Sequence, residues 1–246
     1  MKIHIFKTES ELLTALANFL IETATKAIAE RGQCNVALSG GRSPKKLYAL
    51  LASPEFNPLL NWQKIYFFFG DERYVPATSP DSNALMAQKA LFDPLQIAPA
   101  QIFRVDTTLS PTESANAYTD AITAHFKQQL VCFDLILLGL GDNAHTASLF
   151  PHTSVLAETT AAVKAVFLEE QQVYRITMTA PLINQARQIA FLVYGADKAE
   201  AVQQVLVGAR NIEQYPAQLI NPTDGEVHWF LDEAAAGTAL LGSTHS

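Results

Sequence analysis

A chain of 246 residues, 49% hydrophobic and 17% charged, is long and apolar enough for one large α/β domain (residues 1–246) with an ample core. Its net charge of −7 disfavours a general nucleic-acid surface while leaving room for a local basic pocket that holds an anion. Two cysteines, Cys34 and Cys132, read as buried free thiols rather than a disulfide framework; the N-terminal MKIHIFKTES lacks a signal-peptide pattern, no stretch approaches the ~20 apolar residues of a membrane span, and a cytoplasmic location is expected.

Residues 2–6 alternate as a short first strand. Thr8 or Ser10 caps a helix that carries Leu12, Leu13, Leu16, Phe19 and Leu20 on one face and ends at Gly32. Residues 34–38 form the next strand, followed by SGGRSP at 39–44. Ser43 is placed to cap the next helix, Pro44 suits its first turn, and Leu47, Leu50 and Leu51 continue on its buried face. A strand, a glycine turn and a helix N-terminus bind anions, because free N–H groups and the helix dipole both favour negative charge. The same residues also describe a plain tight turn, and they lack the Gly and Lys spacing of a Walker loop.

Residues 62–69 read as a third, strongly aromatic strand that runs into GDERYVP at 70–76. Charges in a row at a strand's carboxyl end have two readings. Either Asp71 has a polar or proton-handling role and Arg73 contacts an anion, or the group is a surface salt-bridge cluster. Pro80 and Asp81 start a helix through SNALMAQKALF with Leu85, Ala90 and Leu91 buried. Residues 102–105 form a short strand, and residues 110–130 a helix with Pro111 at its start.

The stretch FDLILLGLGDNAHTASLFP, 133–151, opens with an apolar run bounded by turn residues, which predicts a strand buried on both faces. Gly139 and Gly141 let the backbone turn and approach a ligand. Asp142, Asn143 and His145 then sit just beyond the strand's carboxyl end, the edge at which open α/β sheets bind ligands. His145 is the best candidate in the chain for acid/base chemistry, against the alternative of a structural turn with a solvated histidine. Beyond it, residues 163–168 and 173–179 read as two strands joined by a turn at 169–172, and Arg175 lies in the second. Residues 181–187 form a short helix and 189–194 a buried strand. Gly195 to Lys198 turns into a helix through Leu206, where Lys198 either reaches a ligand anion or is solvated. Residues 227–231 form a last strand, and an Ala-rich tail closes as a helix.

The blocks LSGGRSPKKLY (38–48), FFFGDERYVPATSPDSNALM (67–86), LGLGDNAHTASLFP (138–151), RITMTAPLINQAR (175–187) and VYGADKAEAV (193–202) together resemble the 6-phosphogluconolactonases, of the family shared with glucosamine-6-phosphate isomerases/deaminases. The resemblance covers most of the chain. It implies a three-layer α/β sandwich with a parallel-rich, Rossmann-like central sheet, glucosamine-6-phosphate deaminase-like. It also implies hydrolysis of 6-phospho-D-glucono-1,5-lactone to 6-phosphogluconate in the pentose phosphate pathway, without a cofactor. The deaminase branch carries an acidic residue a few positions after the histidine, and none occurs here between His145 and Pro151. One departure stands out. Where the family's turn reads Asp-Gly-His, this chain has Asn143-Ala144-His145. Asn143 can hydrogen-bond the imidazole but cannot supply a charge that stabilises imidazolium, and Ala144 implies a turn that tolerates a Cβ.

These residues yield one mechanistic expectation. His145 acts as general base with Asp71 and Asn143 beside it, and backbone N–H groups near Gly40, Gly41 or the 139–141 turn stabilise the oxyanion. The turn Ser39, Gly40, Gly41, Arg42 and Ser43, with Arg73, Arg175 and Lys198, holds the phosphate. His145 and His152 lie apart without an acid–His pattern, so no metal is expected. The expected partner is a phosphorylated sugar lactone, with no nucleic acid and no membrane, and the protein itself is expected to be a monomer or weak homo-oligomer. The alternatives are a glucosamine-6-phosphate deaminase/isomerase and a non-catalytic sugar-phosphate binder.

Overall fold

The structure, a computed structural model, describes residues 1–241. Six parallel strands form the central sheet in the order β1-β9-β8-β5-β2-β3: β1 (Lys2–Phe6), β2 (Cys34–Leu38), β3 (Ile65–Phe69), β5 (Leu135–Leu138), β8 (Gln188–Val193) and β9 (Glu226–Asp232). A second, antiparallel sheet joins β4 (Asp71–Arg73), β7 (Val173–Met178) and β6 (Val163–Leu168). β2 and β5 are buried at every position, as strands covered on both faces must be. Their side chains divide with period two. Leu135 and Leu137 face one core, Ile136 and Leu138 the other.

The first core lies under α1 (Glu9–Arg31), α2 (Arg42–Leu51) and α3 (Asn83–Ala87). The second lies under the three-stranded sheet with α5 (Pro111–His125), α6 (Ala180–Ile183), α7 (Ala199–Leu206) and α8 (Glu233–Leu241). The short α4 (Asp93–Leu95) follows a π-helical turn, Gln88–Phe92, that continues α3. α1 starts at a Thr8/Glu11 capping box and stops at Gly32, whose φ of 80° suits glycine. By length and composition this helix passes as a membrane span, contrary to the reading that no stretch does. Leu12, Leu13, Leu16, Ala17, Leu20, Ala24 and Ala27 are instead buried against the sheet.

Several expected boundaries shift for local reasons. Residues 62–64 form a 3-10 turn ahead of β3, held by the Asn61 side chain, which accepts from Gln63 N–H. The helix expected from Pro80 starts at Asn83 under a Ser82 cap; Leu85 and Ala90 are only partly buried, and Ala84 and Ala87 take the core positions. Residues 102–105 contribute a single bridge, Phe67 to Ile102, rather than a strand. α5 ends at His125, not 130. Thr179 caps α6, which ends four residues before Arg187. Leu50 is only partly buried, and Tyr48 fills the core beside Leu47 and Leu51.

Candidate active site

The strand order reverses between β2 and β5. From β2 the chain steps outward to β3, and from β5 it steps the other way to β8 and β9, so the two loops diverge and open a crevice at the strands' carboxyl ends. That cleft holds about 1200 Å³. Ser39, Gly40, Gly41, Arg42, Ser43, Asp71, Arg73, Asn143, His145, Arg175 and Lys198 all line it, although they come from five separate stretches of the chain.

The loop after β5 is a closed turn. Ala144 N–H donates to the Gly141 carbonyl at 3.0 Å, and Gly141 N–H donates to the His145 carbonyl at 2.9 Å. Asn143 Oδ1 accepts from the His145 backbone N–H at 3.2 Å and lies 2.6 Å from His145 Nδ1. A backbone N–H can only donate, so the Asn143 atom facing it is the oxygen, and Nδ1 must then carry the ring hydrogen. Nε2 is left with the lone pair and has no protein partner among the described residues. Burial pushes the His145 imidazole down to about 4; Asp142 opposes this, while Lys198, Arg175 and Arg73 add to it. The ring is therefore neutral near pH 7, the form a general base needs. Ala144 adopts a left-handed φ of 60° and is buried.

Asp71 is 9% exposed and fixed from two sides. Ser148 Oγ donates to its Oδ2 at 2.7 Å, and Asn83 Nδ2 donates to its Oδ1 at 3.4 Å and to its carbonyl at 2.9 Å. A Cβ on Gly40 would land on the Asn83 amide, so glycine there lets the β2 turn lie against it. The surface salt-bridge reading of 71–73 is overturned. Glu72 is buried and accepts from the N–H groups of Arg73, Asn83 and Ala84 at 2.7 to 2.8 Å and from Ser82 Oγ at 3.2 Å. Its carboxylate anchors the first turn of α3. Burial pushes the carboxyl up, and those backbone donors pull it back.

Arg73 and Arg175 are directly opposite partners across β4 and β7. Like charges in register repel unless an anion lies between them. Neither forms an ion pair with a carboxylate among the described residues. Arg73 Nη1 donates to the Asp81 carbonyl at 2.9 Å, and Arg175 Nη2 to Gln171 Oε1 at 3.2 Å. Burial, with Arg73 next, lowers the Arg175 guanidinium below its ordinary value. Lys198 lies 3.4 Å from Asp197 at the start of α7.

Ser43 does not cap α2. The helix begins at Arg42 after Gly41, whose φ of 102° excludes a side chain, and no side chain caps it. Its first N–H groups thus face the cleft uncapped. Tyr48 holds the preceding turn instead, its hydroxyl donating to the Ser39 carbonyl at 2.7 Å and accepting from Ser39 N–H at 3.1 Å. The sequence reading missed Asn83, Ser148 and Phe150. Ser148 and Phe150 follow the histidine in the same loop, which was the available signal; Asn83 gave none, because only folding brings it under Gly40. No group of three or more His, Cys, Asp or Glu among the described residues is arranged to hold a metal ion.

The family model for glucosamine-6-phosphate isomerases/6-phosphogluconolactonase matches residues 7–229. A curated 6-phosphogluconolactonase of Synechocystis sp. is 45% identical over 215 residues, spanning 86% of this chain and 87% of its own. The solved 6-phosphogluconolactonase from Trypanosoma cruzi superposes with a TM-score of 0.85 at 29% identity, over 96% of this chain and 95% of that one. A monomeric glucosamine-6-phosphate deaminase shares the fold, with a TM-score of 0.82 at 23% identity over 98% of this chain and 100% of that one. Extent and identity together show that the chain belongs to the glucosamine-6-phosphate isomerase/6-phosphogluconolactonase family.

Proposed function

We propose that this cleft hydrolyses 6-phospho-D-glucono-1,5-lactone to 6-phospho-D-gluconate, the lactone-opening step of the oxidative pentose phosphate pathway, with His145 as the base. The observation that carries the reading is a neutral imidazole whose Nδ1 is tied to Asn143 and whose Nε2 is unpartnered, in a cleft also lined by Arg42, Lys46, Arg73, Arg175 and Lys198. Nε2 takes a proton from water as its oxygen bonds to C1. The C1 carbonyl becomes an oxyanion, and the C1–O5 bond then breaks as Nε2 returns the proton to O5. Gly141 N–H is already given to the His145 carbonyl, so the oxyanion donors of this scheme are backbone N–H groups of Gly40, Gly41 or the 139–140 part of the turn. Asp71, its carboxylate fixed by Ser148 and Asn83, binds sugar hydroxyls or orients the water.

Phosphate sits against Arg73, Arg175, Lys198 and the open first turn of α2 with Arg42 and Ser43. Remote phosphate binding then fixes the reactive carbon against His145. The deaminase alternative lacks an acid between His145 and Pro151. The same reading makes the protein a cytoplasmic enzyme, a monomer or weak homo-oligomer that requires no cofactor and has no nucleic-acid or membrane partner; the net charge of −7 supports the exclusion of nucleic acid.

The test is the decay of freshly generated lactone coupled to 6-phosphogluconate dehydrogenase, with spontaneous hydrolysis subtracted. Acceleration is expected, and His145→Ala should lower kcat about 10²-fold or more while the fold persists. Absence of acceleration, with 6-phosphogluconate still bound, would make the protein a sugar-phosphate binder.

A further inference from the structure

The His145 imidazole lies in a slot. On one side the Phe150 ring stacks on it with centroids 3.9 Å apart and planes 16° from parallel. The α-carbon of Gly141 also lies against the ring: a Cβ added there would land on ring atoms Nδ1 and Cε1. Gly141 does not have a positive φ, so its backbone conformation does not demand glycine. The space occupied by the imidazole does.

The hydrogen bond to Asn143 cannot replace this slot. One bond from Nδ1 restrains the ring at one atom only, and rotation about the Cα–Cβ and Cβ–Cγ bonds can still tilt its plane. Asn143 sits two residues away on the same turn and moves with it. A ring held at one edge sweeps Nε2, on its far side, through an arc, and displacement of about 1 Å from the reacting geometry is enough to cost on the order of 10²-fold in rate.

We propose that Phe150 is a positioning residue for the base: with Gly141 it clamps the His145 imidazole in the single plane that keeps Nδ1–H on Asn143 while presenting Nε2 to the attacking water. Phe150 acts through His145 and need not touch the substrate. The kinetic part rests on the lactonase reading above; the structural part does not.

Phe150→Leu keeps an apolar side chain but removes the flat face, and Phe150→Tyr keeps the face. Phe150→Leu should lower kcat about 10-fold or more with KM for the lactone little changed, and Phe150→Tyr should recover most of that loss. Gly141→Ala, whose added Cβ would land on the ring, should also lower kcat and serves if the leucine variant does not fold. Imidazole 15N shifts at neutral pH supply a readout independent of turnover. The wild type should show His145 as a single Nδ1–H tautomer, and Phe150→Leu or Gly141→Ala should average it toward a mixture. A leucine variant with normal kcat and an unmixed tautomer overturns the proposal, as does a raised KM at normal kcat, which would make Phe150 a substrate contact. If the wild type has no lactonase activity the function fails, yet the tautomer comparison still decides whether the slot positions the ring.

Discussion

Asn143 gives His145 an oxygen but no charge. Its Oδ1 fixes the tautomer, while burial and three nearby cations hold the imidazole down at about 4. The acid limb of kcat/KM should therefore fall far below the 6.5 of a free histidine. Asn143→Asp keeps the acceptor and adds a negative charge beside the ring, which favours imidazolium. Activity at pH 7 should be kept or raised, and the acid limb should move up by about one unit or more. A collapse of activity would mean that the amide NH2 makes a contact that a carboxylate cannot. Ala144 bears on the same departure. A left-handed alanine costs roughly 1 kcal/mol or more, and burial of one methyl returns about 0.8. These nearly cancel, which accounts for a Cβ where glycine would be expected. His145, Asp71 and Arg73 were legible in the sequence because each stands just past a buried strand. Ser148 and Asp71 are 77 residues apart, and no local pattern predicts that their side chains meet.

Between elements, side chains distant in sequence replace the local signals. The strand–turn–helix order around β2 was readable, yet the cap was not: Ser43 was expected to cap α2, which no side chain caps, and Tyr48, two turns into α2, holds the turn before it. The sheet edge shows a second such device. β1 joins β9 through His4, whose Nε2 lies 3.1 Å from His228 Nδ1, with the rings 1° from parallel and Phe19 of α1 against His228. His228 Nε2 meets Gln188 and Glu226. Burial lowers both imidazoles below their ordinary 6.5, His4 further through Lys2, while Glu226 opposes the shift at each. Below pH 6.5 the unfolded chain thus binds more protons than the folded one, so stability is full above that pH and falls as pH drops toward the folded values. The urea midpoint should decrease between pH 7 and pH 5. Replacing both partners, His4→Phe with His228→Phe, should make that decrease shallower, though not abolish it, because His125 and His145 are lowered too. An unchanged pH slope in the double variant would place the titration elsewhere.

Over the whole molecule, the net charge of −7 opposes a phosphorylated substrate, yet Arg73, Arg175 and Lys198 face one cleft. Range decides between them. Charges spread over the surface are screened beyond about 8 Å at physiological ionic strength, whereas cleft cations act at contact in a partly desolvated site. The local attraction should therefore win. The value of kcat/KM for the phosphorylated lactone should fall several-fold as salt rises from low to high, mainly through KM, since phosphate contacts contribute to binding rather than bond-making. Arg73→Ala removes one member of the repelling cross-strand pair. It should raise KM about 10-fold or more, the scale of a charge-assisted hydrogen bond, and flatten the salt dependence. It also deletes one of the cations that depress His145, so the acid limb should move to higher pH in the same variant. An altered KM with an unmoved acid limb would leave Arg73 on the phosphate but electrostatically remote from the base. A folded variant with unchanged KM and unchanged salt slope would make the arginine a brace for the Asp81 turn, whose carbonyl it already holds at 2.9 Å.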